Sequence, residues 1–473
     1  MTSNLDLTPA QIKAAGTEAG RVYIEAEPGS GKTVIAAERF GVHRYTSRGD
    51  FRAVLALCFN RAAATELRER INTRWGRTAL TWPHRVATID AYLHDLLGYL
   101  LRHGLLTWPG GCVELTVADS WKAWGYTYPD TSSWLSIIDG EVVPCDITTY
   151  RDHLEQGKCT HAEIRTVLNQ ALENHALADA ISTHIKTSIR ALIVDEIFDA
   201  NELDLRLVSM ACEQDIKTTI IGDPWQALYA FRGATPELVH KLVSRYGFIS
   251  CPLSESFRFR SPETILLAEC LRARKPVELS AGEGEKVDVA LAWKWQSLWS
   301  AGTEILPLSF GPPHTAAESA VALLLNQLTQ VEFGLSSTFL NDALRNLGIL
   351  DPAAPQRLFE WLGGVLASLA SDPVQDTWKK LSLSIRHETK QYLPETGPYR
   401  ELENIKKRVA STHPYRILGI TIHQAKGCEW DRVAVRLTSG EHETLRKGLD
   451  SENEEHRILY VGLTRARFST VAI

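Results

Sequence analysis

No C-x-x-C pair occurs among the eight cysteines, Cys58, Cys112, Cys145, Cys159, Cys212, Cys251, Cys270 and Cys428. That argues against a zinc ribbon or an iron–sulfur cluster and favours scattered reduced thiols. No apolar stretch approaches the roughly 18 residues of a membrane span. The N-terminus, MTSNLDLTPAQ, lacks a basic region followed by an apolar run. A soluble, cytoplasmic protein with no membrane partner is expected. Neither sign of charge dominates: the net charge is −6 over 473 residues. This argues against a histone-like electrostatic binder, while a local nucleic-acid groove stays compatible. Low-complexity tracts and short-period repeats are also missing.

What the chain does have is apolar residues, 44% of the total, enough for the cores of two to four domains. Short β-rich runs end in chemically suggestive residues. VYIEA (Val22 to Ala26) precedes a glycine loop, and AVLALCF (Ala53 to Phe59) precedes a helical pattern. ALIVDE (Ala191 to Glu196) and TTIIGD (Thr218 to Asp223) end in carboxylates. Further runs are ILPLSF, ILGITIH and RVAVRL, from Ile305, Ile417 and Arg432. Buried strands alternating with helices predict an α/β fold with parallel sheets. Residues 92–188 and 331–413 break the rhythm with mostly helical patterns and read as insertions. A Trp-, Pro- and Gly-rich patch interrupts the first of them. The acidic run Ser439 to His456 reads as a solvated loop leading into a helix.

AEPGSGKT (Ala26 to Thr33) lies between a strand and a helix, the context a phosphate-binding loop requires. Backbone N–H groups of Gly29, Ser30 and Gly31 would surround phosphates, aided by the helix N-terminus. Lys32 would reach the β/γ-phosphates and Thr33 would ligate Mg²⁺. The strict G-x-x-x-x-G-K-[ST] pattern fails only at its first position, Ala26. A Gly-rich turn with a surface lysine is the bland alternative, and the flanking strand and helix argue against it. ALIVDE supplies the acidic partner: Asp195 for the metal and Glu196 for an attacking water.

At this point the chain resembles superfamily one DNA helicases of the UvrD/Rep/PcrA type, through motifs that occur in the family's order. LTPAQ resembles the adenine-reading segment, with Gln11 on the base edge. FNRAAATELRERI (from Phe59, with Asn60) and VATIDAYLHDLL (with Thr88) resemble DNA-contact motifs, although Asp90 stands where a histidine is usual. GDPWQALYAFRGA is the most specific match. The resemblance makes Gln226 a γ-phosphate sensor and gives Tyr229, Phe231 and Arg232 to the DNA track. LSESFRFRSPETI implies Phe257 stacking on adenine and Arg258 touching the γ-phosphate. ITIHQAKGCEWDRVAV implies Glu429 on the ribose and His423 near DNA. In HRILYVGLTRARFSTVAI, Arg465 is the candidate arginine finger.

The resemblance implies two RecA-like P-loop NTPase lobes with helical insertions. The first lobe would comprise residues 1–91 and 189–260, with 92–188 inserted. The second would comprise 261–330 and 414–473, with 331–413 inserted. That second insertion, about 83 residues, is small for the family. The chain ends directly after the last motif, so no partner-binding tail and no nuclease domain are expected. Cofactors would be ATP and Mg²⁺. The partner would be single-stranded DNA or a single-strand/duplex junction, tracked 3′-to-5′, in DNA repair or anti-phage defence.

A rival reading is a nucleotide- and DNA-binding regulatory subunit with weakened motor activity. It would act with a nuclease partner, in the manner of the helicase subunit of the Gabija anti-phage system. It draws on Asp90, on the short second insertion, and on Phe198, which stands where the family usually has a glutamine. A P-loop kinase does not account for GDPWQALYAFRGA or LTRAR.

Overall fold

The computed structural model describes residues 7–46, 49–128, 131, 133–282, 286–349, 354–389 and 391–473, without the side chains of 232 and 354–357. Two compact units make up the chain, Met1–Phe257 and Arg258–Ile473.

The first unit is built on β1 (Arg21–Glu25), β2 (Ala53–Cys58) and β3 (Arg85–Thr88). After short strands β4 (Thr116–Ala118), β5 (Leu135–Ile138), β6 (Glu141–Pro144) and β7 (Lys158–Thr160) come β8 (Ile189–Val194), β9 (Lys217–Gly222) and β10 (Ile249–Ser250). The main sheet is six-stranded in the order β10-β1-β9-β8-β2-β3, and every pairing is parallel. AVLALC and IRALIV are buried at every position, because helices cover both faces of a parallel sheet.

Strand periodicity divides the two cores. Val22, Ile24, Val54, Ala56, Ala191, Ile193 and Ile221 face one side, with Ile35, Phe40 and Leu67 from the helices Lys32–Thr46 and Arg61–Trp75. Tyr23, Leu55, Leu57, Leu192, Val194 and Ile220 face the other. That second core continues without a break into residues 92–188, through Leu93, Leu96, Trp121, Tyr150, Ile164 and Ile185. The Trp-rich patch folds around one fully buried carboxylate, Glu163. Trp121 Nε1 and Tyr150 Oη donate to its Oε1 at 2.8 and 3.2 Å, and the Thr160 amide donates to its Oε2 at 2.7 Å. Thr131 and Thr160 hydroxyls donate as well. A buried charge is tolerable when its lone pairs are met in this way.

The second unit carries β11 (Val289–Ala292), β12 (Ile305–Pro307), β13 (Ile417–Thr421), β14 (Trp430–Val435) and β15 (Ala466–Ala472). They form an all-parallel sheet in the order β12-β13-β11-β14-β15. The helices Ala316–Phe333, Leu340–Asn346, Ala354–Leu369, Val374–Thr389 and Tyr399–Val409 pack around Leu324, Leu362, Trp378 and Ile405. Arg408 fastens the last of these to the sheet. Its Nε donates to the Ile305 carbonyl at 2.7 Å, and its guanidinium lies 4.4 Å from the Trp299 ring centroid.

Candidate functional site

The loops carrying the first unit's candidate residues leave the carboxyl ends of parallel strands, where open α/β sheets bind ligands. The phosphate loop follows β1. A turn at Glu27–Ser30 is closed by the Ser30 amide and hydroxyl, both donating to the Glu27 carbonyl, at 3.1 and 2.7 Å. Gly29 and Gly31 have φ of 74° and 86°, a region that glycine enters freely. A Cβ at Gly31 would also meet Gln11 Nε2 at 2.9 Å. Ala26 has no such demand: it bridges to Leu253 as an extended residue. The departure from the strict motif therefore falls where glycine is not needed. The helix begins at Lys32, so its leading N–H groups have no intrahelical acceptor. Lys32 Nζ donates to the Ala26 carbonyl at 3.3 Å.

Gln11 is buried against this loop. Its Nε2 donates to the Ser30 carbonyl at 3.0 Å, and its Oε1 accepts from the Thr8 amide at 3.0 Å. Residues 253–257 are stitched alongside. The Glu27 amide donates to the Leu253 carbonyl at 2.9 Å, and the Phe257 amide to the Gly29 carbonyl at 2.9 Å. Ser256 Oγ donates to the Pro28 carbonyl at 2.7 Å. Phe257 thus stands beside the phosphate loop with its ring exposed.

The acidic pair follows β8. The Asp195 amide still donates to the Leu57 carbonyl, at 3.0 Å. Glu196 then turns into the left-handed region, φ 57° and ψ 42°, which is uncommon for a glutamate and stores strain. The turn breaks the strand and keeps Glu196 half-buried beside a buried Asp195. Burial pushes the Asp195 carboxyl up, the Glu196 charge adds to this, and Lys32 opposes it. Gln226 follows β9, buried, with its Nε2 donating to Asp223 Oδ2 at 2.7 Å. Asp223, which the motif reading passed over, also caps the turn through the Trp225 amide at 3.1 Å.

Phe198 does not face this edge. It is 1% exposed and packs edge-on to Tyr23 at 6.3 Å and against His240 at 5.4 Å. Gly222 abuts it: a Cβ there would come within 2.8 Å of Phe198 Cδ2.

The DNA candidates of this unit lie at the same edge. Asn60 follows β2 and caps Arg61–Trp75, accepting from the Ala63 amide at 2.8 Å. Phe59 beside it is half-buried against the core. Thr88 ends β3 and caps Ile89–Arg102 through the Ala91 amide at 3.2 Å. Asp90 is tied up internally: Arg165 donates to it from Nε at 3.0 Å and Nη2 at 2.8 Å, and to Asp204 at 3.0 Å. Tyr229 is half-buried, and Phe231, 65% exposed, meets it edge-on at 5.9 Å. The Arg232 side chain lies outside the described residues. The loop is fastened to the stretch after the acids by the Thr235 amide, which donates to the Ala200 carbonyl at 2.9 Å, and by an Asn201–Ala234 bridge.

In the second unit, Arg258, Glu429 and Arg465 gather at the amino ends of β14 and β15. Arg258 donates to Glu429 Oε2 at 2.9 Å and to the Thr464 carbonyl at 2.9 Å. Arg465 is fully buried, with Nε donating to the Val461 carbonyl at 2.9 Å. His423 is not with them: it follows the carboxyl end of β13, in the short helix Ile422–Ala425. Arg467, unremarked in the motif reading, bonds both Glu429 and Asp431.

Family comparison decides the class. A model of an AAA domain matches residues 11–232, and a model of the UvrD-like helicase C-terminal domain matches residues 379–471. Both matches support a UvrD-like superfamily one helicase. It is 26% identical over 351 residues to the ATP-dependent DNA helicase UvrD2 of Mycobacterium tuberculosis, covering 63% of this chain and 48% of that protein. DNA helicase IV of Escherichia coli is 24% identical over 314 residues, covering 54% and 45%. DNA helicase II of the same organism is 23% identical over 337 residues, covering 64% and 43%. The UvrD-like chain spans about half the length of the curated relatives it matches. Among its described residues no helix is long and apolar enough to cross a membrane.

Proposed function

We propose that the chain is the motor core of an ATP-driven DNA helicase or translocase that tracks 3′-to-5′ on single-stranded DNA in the cytoplasm, in DNA repair or anti-phage defence. One observation carries this reading. Lys32, Asp195, Glu196 and Gln226 share a sheet edge with Asn60, Thr88 and the Tyr229–Phe231 loop. Hydrolysis chemistry and base-stacking rings on one rigid edge are what a translocating ATPase requires. The division into lobes of 1–91 with 189–260 and of 261–330 with 414–473 is part of the proposal.

The donor set fits Mg²⁺. Asp195 and Thr33 are hard oxygen donors, and Asp195 crowded by Glu196 gains from a nearby cation. Among the described residues no cage of three or more His, Cys, Asp or Glu exists, and Mg²⁺ shared with substrate phosphates does not call for one. When bound, the ion would neutralise charge on the transferring phosphate. Glu196 orients the attacking water, Lys32 balances phosphate charge, and Gln226 reads the phosphate's presence. Arg258 and Arg465 keep the phosphate roles that the family resemblance implies.

A second reading, a regulatory subunit acting with a nuclease partner, is favoured by Asp90. Arg165 holds one oxygen of its carboxylate, Oδ1, and a carboxylate offers DNA no donor. ATP turnover by the purified chain, with and without single-stranded DNA, separates the two. DNA-stimulated turnover supports the motor. No turnover in either condition, restored by a nuclease partner, supports the regulatory subunit.

Tyr229→Ala is expected to weaken single-strand binding by about 1–3 kcal/mol, the value of one stacked base. Fluorescence anisotropy with a labelled oligonucleotide at fixed salt measures this. Equal affinity would make the ring a packing element.

A further inference from the structure

Arg165, on the helix His161–Glu173 of the first insertion, ties together the first turns of two other helices. Its Nε and Nη2 donate to Asp90 Oδ1 at 3.0 and 2.8 Å, and its Nη1 donates to Asp204 Oδ1 at 3.0 Å. Asp90 lies in the first turn of Ile89–Arg102, which starts directly after β3 and is capped by Thr88. Asp204 lies in the first turn of Glu202–Glu213, which follows β8 and the turn Ile197–Asp199. The second oxygen of Asp204, Oδ2, accepts from the Asn201 amide at 3.1 Å, and Asn201 Oδ1 accepts from the Asp204 amide at 3.1 Å. The turn before Asn201 is closed by the Asp199 amide on the Glu196 carbonyl at 2.9 Å. Directed bonds therefore run from the Thr88 end of β3, through Arg165, to the backbone of Glu196.

Stability does not explain this triad. The side chains of Arg165 and Asp204 are 25% and 3% exposed, and a buried ion pair costs desolvation that its attraction only about repays. Burial pulls the Arg165 guanidinium down, and the charges of Asp204 and Asp90 more than reverse this. Burial pushes the Asp204 carboxyl up, and Arg165 offsets this only in part. What one partner gains the other loses. A planar fork does fix geometry, however. The three helices otherwise meet through apolar side chains such as Leu93, Leu168 and Leu207, which set no direction. The fork gives them one register.

We propose that Arg165 is a positioning residue that couples single-strand binding at the Thr88 end of β3 to the acids after β8, by holding the first turns of the two helices in one register. This rests on the motor reading above and adds to it a residue of the insertion that no motif covers.

The test is the affinity of the full chain for a labelled oligothymidylate, measured by anisotropy at fixed salt. It is measured with Mg²⁺ alone and with Mg²⁺ and adenylyl imidodiphosphate. In the unaltered chain the nucleotide should change that affinity by about fivefold or more, the lower end of coupling between two sites. Arg165→Met should bring the factor to about twofold or less, with basal ATP turnover kept. Arg165→Lys keeps the charge but not the fork, so it should retain only part of the coupling. Thermal melts report folding. Asp90→Asn, at a side chain 37% exposed, breaks the same link from the surface and should lower the factor as well. If Arg165→Met and Asp90→Asn keep the unaltered factor, or weaken binding equally with and without nucleotide, the positioning role is overturned. If the unaltered chain binds the strand and hydrolyses ATP but shows no coupling, this inference alone falls. If it binds no strand in either condition, the motor reading fails and takes the inference with it.

Discussion

Glu196→Gln should leave nucleotide affinity intact and lower ATP turnover by about 10²–10⁴-fold, the usual contribution of a positioned general base. The substitution is isosteric at a half-buried position, so the fold should tolerate it. Its backbone is held on either side: the Asp195 amide on Leu57, and the Glu196 amide on Asp195 Oδ1 at 3.0 Å. The amide can still accept a hydrogen bond but cannot take a proton from water. It also removes the like charge that raises the Asp195 carboxyl, which favours the ionised form of Asp195 that a cation needs. Lys32→Ala should not separate the two functions. It removes a phosphate ligand, so affinity and turnover should fall together. Phosphate-release kinetics and calorimetry on both variants give the comparison. Unchanged turnover in Glu196→Gln would move the water-orienting role to another carboxylate.

The shape of the glycine loop after β1 was legible in the sequence because its information is local. A strand, two residues needing positive φ and a lysine opening a helix all fall within a dozen positions. The one departure from the motif, Ala26, falls at an extended residue paired with Leu253, where the backbone does not call for glycine. The α/β class was legible for the same reason: buried runs such as AVLALC advertise parallel strands. Pairings between distant segments were not. Phe257 reaches Gly29 and Arg467 reaches Glu429 through sheet order, and Arg165 reaches Asp90 through helix packing, neither of which a local pattern encodes. The Trp-rich patch around residue 121 looked irregular because its organising centre, Glu163, lies 42 positions downstream. Asp90 read as a weakened DNA contact. Its partner explains the aspartate: a histidine there could not hold Arg165 between three helices.

Phe198→Gln is the substitution on which sequence and structure differ most. Read from the sequence, Phe198 in place of the usual glutamine alters the link between phosphate state and DNA track, and glutamine there should raise DNA-stimulated turnover more than basal turnover. The structure gives the ring another task. It fills the core between Tyr23 of β1 and His240 of the helix Pro236–Tyr246, and Gly222 leaves room for it. A glutamine in this place forfeits the aromatic contacts and buries an amide. The expected cost is roughly 2–5 kcal/mol, set by the range for Phe truncation and for an unmet polar group. Phe198→Leu, which keeps an apolar side chain, should cost less than half of that. The backbone joins the same two segments independently of this side chain. The Thr235 amide on the Ala200 carbonyl and the Asn201–Ala234 bridge join the chain just after Glu196 to the loop bearing Tyr229 and Phe231. In the proposed motor this backbone link, rather than the side chain at 198, would carry a movement of the acids to the Tyr229–Phe231 loop. Urea denaturation of both variants, with basal and DNA-stimulated ATPase under stable conditions, tests the point. A loss below about 1 kcal/mol in Phe198→Gln, together with a raised ratio of stimulated to basal turnover, would return the residue to the phosphate-sensing role.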